Sequence, residues 1–270
     1  MKDPITVSLC ISTYNRHAAL QLCLESVLNQ SRMPDEILVG DDGSTDETRK
    51  LVGSYIPKFK IPLIHLWQPD DGFRLASVRN VCFREAKGTY VIQIDGDTIL
   101  EKRFIEDHIL FSRKKTFLSG SRSLINEPAT KTLEQEGALN WDLLNRNLTK
   151  QYNAIRFIPL AQFIYYMHRG DRQAKHVLGS NMSFWKEDLI SVNGYNEDFK
   201  GWGAEDQDIA IRLLHAGVGM RFLKYAGVTY HLHHMKASDS NFLSNFRTLS
   251  KTKETQLTFV EKGIRKSGKE

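Results

Sequence analysis

"VIQIDGDTIL", residues 91–100, decides how this chain folds. A run of strand-forming residues stops at two aspartates, Asp95 and Asp97, with only Gly96 between them. In an extended backbone, positions two apart project to the same side. Two like charges then share one face unless something positive lies between them. Aspartate and glycine are also ordinary turn residues, and such a pair can simply end a strand. The surrounding sequence decides between these readings.

Upstream, strand and helix patterns alternate. "ITVSLCIS" reads as a buried strand and "HAALQLCLESVLNQ" as an amphipathic helix. "DEILVGDD" is a second strand, "STDETRKLVGSYI" a second helix and "PLIHLWQ" a third strand. "LASVRNVCFREAKG" is a helix closed by Gly88, and "YVIQIDGD" a fourth strand. This alternation implies parallel crossovers and a sheet covered on both faces. Ligands of such sheets collect beyond the carboxyl ends of the strands. Polar clusters stand at three of those ends: "STYNR", "DDGSTD" and "DGD".

Downstream of residue 126 the pattern changes. "KTLEQEGALNWDLLNRNL" and "LAQFIYYMHR" look helical, and "HVLGSNMSFWKEDLISVNGYNEDF" mixes a short strand with turns. A further helix, "EDQDIAIRLLHAG", precedes a strand-like "VTYHLHH". The net charge of +5 is uneven, because Arg247 to Glu270 holds seven Lys/Arg and three Asp/Glu, or +4. Leu257, Val260 and Ile264 fall there at helical spacing, so the tail is expected as a basic amphipathic helix, solvated or resting on an anionic membrane surface. No set of aromatics interleaves the basic residues, so nucleic acid is not an expected partner. No apolar run reaches the length of a membrane span, and "MKDPITVSLCIS" lacks a signal-peptide core. Cys10, Cys23 and Cys82 have apolar neighbours and no metal-ligand spacing, which fits reduced thiols and a cytoplasmic location.

Several motifs bear on chemistry. In "DDGSTDET", Ser44 and Glu47 have the spacing of a capping box, which leaves Asp41 and Asp42 unexplained at a strand end. In "GWGAEDQD", Glu205, Asp206 and Asp208 suit the first turn of a helix. That does not account for the glycines and Trp202 just ahead, whose ring offers an apolar face and an N–H for a sugar. "HLHH" adds imidazoles, which with carboxylates make a metal-ligand set. GxGxxG, Walker A and HExxH patterns are missing. A nucleotide bound here would need another neutralising partner, and Mn2+ or Mg2+ accepts carboxylate and phosphate oxygens together.

Together "ISTYNR", "DDGSTDET", "FRLASVRN", "GTYVIQIDGD", "GSNMSFWKEDL", "NGYNEDFKGWGAEDQDIAIRL" and "YHLHH" resemble a family 2 glycosyltransferase of the GT-A fold, over roughly residues 5–235. The second half also resembles β-1,4-galactosyltransferases and bacterial chondroitin-type polymerases. The resemblance implies an α/β fold with a mostly parallel central sheet flanked by helices. Residues 1–125 would bind a nucleotide sugar, residues 126–235 would bind the acceptor and carry catalysis, and residues 236–270 would form the basic tail. Thr13, Tyr14, Asp42, Arg79, Asp95 and Gly96 match donor-site positions, and Asp97 and His231 match metal ligands, with His233 and His234 as rivals. Asp206 matches the catalytic base, Glu205 a carboxylate that orients the acceptor, and Trp202 an acceptor contact.

The implied reaction is metal-dependent transfer, with inversion, from a UDP-sugar or related donor to a saccharide or glycolipid acceptor of a bacterial surface glycan. One base opposite one leaving group accounts for the inversion. Two alternatives stay open at this level. "IDGDT" also resembles the nucleophile loop of haloacid dehalogenase-like phosphohydrolases, although those place it after their first strand. A catalytically inactive carbohydrate-binding protein is the other.

Overall fold

The computed structural model describes residues 4–167, 174, 177–235 and 241–265. The first half is β1 (Val7–Thr13), α1 (His17–Leu28), β2 (Glu36–Asp41), α2 (Asp46–Tyr55), β3 (Leu63–Trp67), α3 (Leu75–Glu85) and β4 (Tyr90–Asp95). Every residue of β1 and β2 is buried. This is the burial expected of parallel strands covered on both faces, and it explains their near-continuous apolar runs. Leu9, Ile11, Ile37, Val39, Ile92 and Ile94 pack on one side of the sheet with Leu20, Leu24 and Val52. Cys10, Leu38 and Val91 face the other side with Phe83, Phe184 and Ile209.

After Asp95 the chain turns and forms β5 (Thr98–Leu100), α4 (Phe104–Leu110), β6 (Thr116–Gly120) and β7 (Ser123–Ile125). Then come α5 (Glu127–Glu136), α6 (Trp141–Arg146), β8 (Leu148–Thr149), α7 (Ile158–Met167), β9 (Asn181–Trp185) and α8 (Lys186–Ser191). The last elements are α9 (Glu205–His215), β10 (Gly219–Leu223), β11 (Thr229–His231) and α10 (Phe242–Glu254). Seven strands build the main sheet in the order β10-β6-β9-β4-β1-β2-β3, in which β9 alone runs antiparallel to its neighbours. A second sheet, β5-β11-β7-β8, carries the chain's late strand beside the turn that follows β4. The expected mostly parallel α/β architecture is present.

Four local expectations are corrected. Ser44 does not cap α2: the cap position is Thr45, with no side-chain cap bond. Ser44 instead ties two loops together, its Oγ accepting from Asn15 N at 2.8 Å and its N–H donating to Asp41 Oδ1 at 2.8 Å. Helix α3 stops at Glu85, and Gly88 serves as a close-approach point whose N–H reaches Ser8 Oγ at 2.8 Å. The stretch 131–148 is two helices, because Gly137 adopts φ 62° and terminates α5.

The fourth concerns the tail. Its helix ends at Glu254, and residues 255–265 run on without helical structure, so Leu257, Val260 and Ile264 share no helical face. Val260 and Ile264 are buried. Asn193 binds the segment, donating to Val260 O at 2.7 Å and accepting from the Arg265 N–H at 2.8 Å. The segment is therefore a strap over the core, with Leu257 and Phe259 left exposed. Residues 236–240 and 266–270 of the expected tail lie outside the described residues.

Candidate active site

The turn after β4 sends the two aspartates in different directions, and each meets its own arginine. Asp95 Oδ1 accepts from Arg79 Nη2 at 2.9 Å and from Ser12 Oγ at 3.1 Å. Asp97 Oδ2 accepts from Arg16 Nη1 at 2.8 Å. Arg16 also reaches Glu134 at 2.8 Å and the His233 carbonyl at 3.3 Å. The positive charge that the doublet calls for is thus present within the protein. Gly96 N–H donates to Ser12 O at 2.7 Å, and a Cβ there would sit tightly, 3.1 Å from Thr13 Cβ.

Beside Asp97 stand two histidines. Strand β11 pairs His231 with Thr98 on one side and Leu124 on the other, which carries His231 Nε2 to 3.4 Å from Asp97 Oδ1. His234 Nε2 lies 3.4 Å from Asp97 Oδ2. Ligand atoms of Asp97, His231 and His234 all fall within 4.8 Å of one another. Asp97 Oδ1 is buried and accepts no hydrogen bond among the described residues. Burial, reinforced by Arg122 and opposed by Asp97, holds the His231 pKa below its ordinary value, so a ring nitrogen lone pair is available at neutral pH. An orphaned carboxylate oxygen beside a neutral imidazole fits a divalent cation. His233 uses its N–H on Thr130 Oγ1 and its carbonyl on Arg16, and it stands apart from the trio.

Glu205 and Asp206 open α9 at the other side of the cleft. Asp206 accepts three hydrogen bonds: from Arg79 Nη1 at 2.7 Å, from the Tyr195 hydroxyl at 2.9 Å and from Gly179 N at 3.0 Å. Gly179 has to be glycine, because a Cβ there would collide with the Asp206 carboxylate. Glu205 is buried, and burial together with the charge of Asp206 pushes its pKa up to about 7. The third acidic residue, Asp208, turns into the core and pairs with buried Arg212 at 2.7 Å. The helix-start reading therefore holds for Asp208 as a structural residue, whereas Glu205 and Asp206 face the cleft.

The loop ahead of α9 is clamped. Asn245 of α10 donates to the carbonyls of Lys200 and Gly203, both at 3.0 Å. Trp202 stays 46% exposed, its ring stacked at 6.4 Å on Phe242. At the far end of the cleft, Tyr14 and Trp67 expose rings beside Thr13 and Asp42. Asp42 is buried and already accepts from Gln68 Nε2 at 2.5 Å and Arg74 N at 2.7 Å. Its neighbour Asp41 is held by His65 at 2.8 Å.

Several participants escape a sequence reading. Arg16, Tyr195, His65 and Glu134 become visible only through contacts that span 11 to 217 residues. Arg16 and Tyr195 lie inside the motifs "STYNR" and "NGYNEDF", whereas His65 and Glu134 carry no motif signal.

Residues 8–188 match "Glycosyl transferase family 2", and residues 159–235 match "N-terminal domain of galactosyltransferase". The chain is 28% identical over 243 residues to chondroitin synthase of Pasteurella multocida (strain Pm70), covering 84% of this chain and 25% of that protein. It is 28% identical over 233 residues to validoxylamine A glucosyltransferase of Streptomyces hygroscopicus subsp. limoneus, covering 79% of this chain and 49% of that one. The chain thus spans a quarter to a half of the length of these relatives. S. aureus TarS 1-349 in complex with UDP-GlcNAc superimposes with a TM-score of 0.62 at 18% identity, covering 91% of this chain and 66% of the TarS 1-349 chain. These likenesses establish the GT-A fold, and the "IDGDT" loop falls inside the first match rather than behind a first strand. The chain belongs to glycosyl transferase family 2.

Proposed function

We propose that this protein is an inverting, metal-dependent glycosyltransferase that moves a sugar from a UDP-sugar to a hydroxyl of a saccharide acceptor in a bacterial surface glycan. The supporting observation is that Arg79 joins Asp95, two residues before the Asp97 of the Asp97–His231–His234 cluster, to Asp206 and Glu205 at the start of α9. Mn2+ or Mg2+ held by Asp97, His231 and His234 would supply Lewis-acid stabilisation of the leaving diphosphate. The chondroitin synthases and the glucosyltransferase among the relatives support a saccharide-type acceptor.

The residues of the chain divide the work. Tyr14 and Trp67 offer rings to a nucleoside, and Trp202 offers a face to the acceptor sugar. Asp206 takes the proton of the attacking hydroxyl as the new C–O bond forms at the anomeric carbon. The bond from that carbon to the phosphate oxygen breaks on the opposite side, and its electron pair leaves with the nucleoside diphosphate. Arg79 and Tyr195 hold Asp206 in place for this transfer.

A second reading makes Glu205 the proton acceptor. It is favoured by a pKa pushed up to about 7, because a base works best when its pKa lies near the working pH. Asp206, held by three donors, would then orient the hydroxyl.

Release of nucleoside diphosphate from a panel of UDP-sugars, with and without Mn2+ and with chondroitin oligosaccharides as acceptors, tests the function. Release that requires both metal and acceptor is expected. No release from any donor under any condition would overturn the assignment and leave a binding protein.

A further inference from the structure

Arg122 stands where the chain crosses from β6 of the main sheet to β7 of the small one. The backbone there is fixed by side chains. Asn181 Nδ2 and Thr229 Oγ1 donate to Ser121 O at 3.0 and 3.2 Å, and Asn153 Nδ2 donates to Arg122 O at 2.9 Å. Asn181 is wholly buried, and Gly120 makes room for it, since a Cβ there would collide with its amide. This crossing therefore holds Arg122 in one place before any ligand arrives.

Its side chain points between the two halves of the site. Arg122 Nη1 donates to Ser180 Oγ at 3.2 Å, and Ser180 adjoins Gly179, whose N–H holds Asp206. On the other side, β7 pairs with β11 immediately after Arg122, as Ser123 with Tyr230 and Leu124 with His231.

The other cleft arginines are neutralised, Arg79 by Asp95 and Asp206 and Arg16 by Asp97 and Glu134. Among the described residues no carboxylate forms an ion pair with Arg122, and Ser180 engages one of its five N–H donors. A guanidinium fork with donors to spare, on a backbone held in place, matches phosphate oxygens.

We propose that Arg122 binds the diphosphate of the sugar donor and steadies the negative charge that the diphosphate gains as it departs. The inference rests on the nucleoside-diphosphate-sugar reading above. Arg122 donates hydrogen bonds throughout and transfers no proton.

The test is calorimetry of wild type, Arg122→Gln and Arg122→Lys with UDP and with uridine in the presence of Mn2+, and with Mn2+ alone. Arg122→Gln should bind UDP about tenfold more weakly or worse, the scale of a lost charged hydrogen bond. Its uridine affinity should stay at the wild-type value, its Mn2+ affinity should not fall, since a cation beside the metal trio has been removed, and Arg122→Lys should recover part of the loss. Wild-type UDP affinity in Arg122→Gln would overturn the proposal, as would equal weakening toward UDP and uridine, which marks a structural role. A wild-type protein that binds UDP no better than uridine would instead overturn the donor reading itself.

Discussion

Arg79 Nη1 lies 2.7 Å from Asp206 Oδ1 across 127 residues of sequence, and the other end of the same guanidinium lies 2.9 Å from Asp95. One fully buried cation therefore links the aspartate that ends β4 to an aspartate in the first turn of α9. Burying a guanidinium is costly unless its charge is answered, and here Asp95 and Asp206 answer it. Arg79→Met should leave both carboxylates without that cation. The expected loss is on the order of 3–5 kcal/mol, the usual cost of breaking a buried pair, measurable by denaturant unfolding. Stability within about 1 kcal/mol of wild type would mean that water replaces the guanidinium without penalty.

Metal binding should separate the three late histidines. His231→Ala and Asp97→Ala are expected to weaken Mn2+ binding strongly, as read by titration calorimetry in the absence of nucleotide. His234→Ala should weaken it less, because that ring is 42% exposed and its loop is less constrained than β11. His233→Ala should match wild type. Sensitivity at His233 alone would remove the trio as the metal site.

Much of this was legible in the sequence, and what was not has a physical pattern. The β1 to β4 alternation was readable because parallel, doubly covered strands leave long apolar runs. The strand-end aspartates and the "GWGAEDQD" helix start were readable because each motif is local. The "SVRN" motif marks Arg79 as a donor-site candidate, but its bridge to Asp206 could not be seen, since sequence carries no sign of a contact between α3 and α9. The "positive charge between the aspartates" was inferred as metal alone, whereas Arg79 and Arg16 supply it directly. Short strands such as β5, β7 and β8, two or three residues each, fall below any periodicity signal. The tail misled because Leu257, Val260 and Ile264 happen to repeat at helical spacing while meeting the core through an irregular strap.

That strap gives a stability prediction. Deleting residues 255–270 exposes the sites that bury Val260 and Ile264 and removes both partners of Asn193. Each lost aliphatic burial is worth about 1.5–3 kcal/mol, so the melting temperature should fall by several degrees or the protein should become insoluble. A truncated protein that melts with the full chain would show that the strap is dispensable.

Glu205 predicts a pH dependence of stability. Its folded pKa, about 7, lies above the ordinary carboxyl value. The folded state therefore binds this proton more tightly than the unfolded chain. The associated stability is fully present below the unfolded pKa and is lost as pH rises from there through about 7. Glu205→Gln should flatten that part of the profile and be the more stable protein, relative to wild type, at pH 8 than at pH 5. Parallel unfolding profiles for the two proteins across this window would show that Glu205 is ionised throughout.

The choice of base between Asp206 and Glu205 is decided by turnover. Asp206→Asn keeps nearly the same volume and can still accept from Arg79 and Tyr195 through its carbonyl oxygen, but it has lost the basic oxygen. If Asp206 is the base, turnover should fall by roughly two to four orders of magnitude. Donor affinity should hold, because the residues proposed for nucleotide and metal lie outside α9, on β1, β2, the turn after β4 and the end of β11. Glu205→Gln should then raise the acceptor KM at least as much as it lowers kcat. If Glu205 is the base, the two variants exchange behaviour, and the acid limb of the kcat profile, expected near pH 7 in wild type from the raised Glu205 pKa, should disappear in Glu205→Gln. The deciding measurement is kcat, acceptor KM and donor affinity for both variants from pH 5 to 9. Near-normal turnover in both would remove the α9 carboxylates from the chemistry and leave "GWGAEDQD" as a helix start clamped by Asn245.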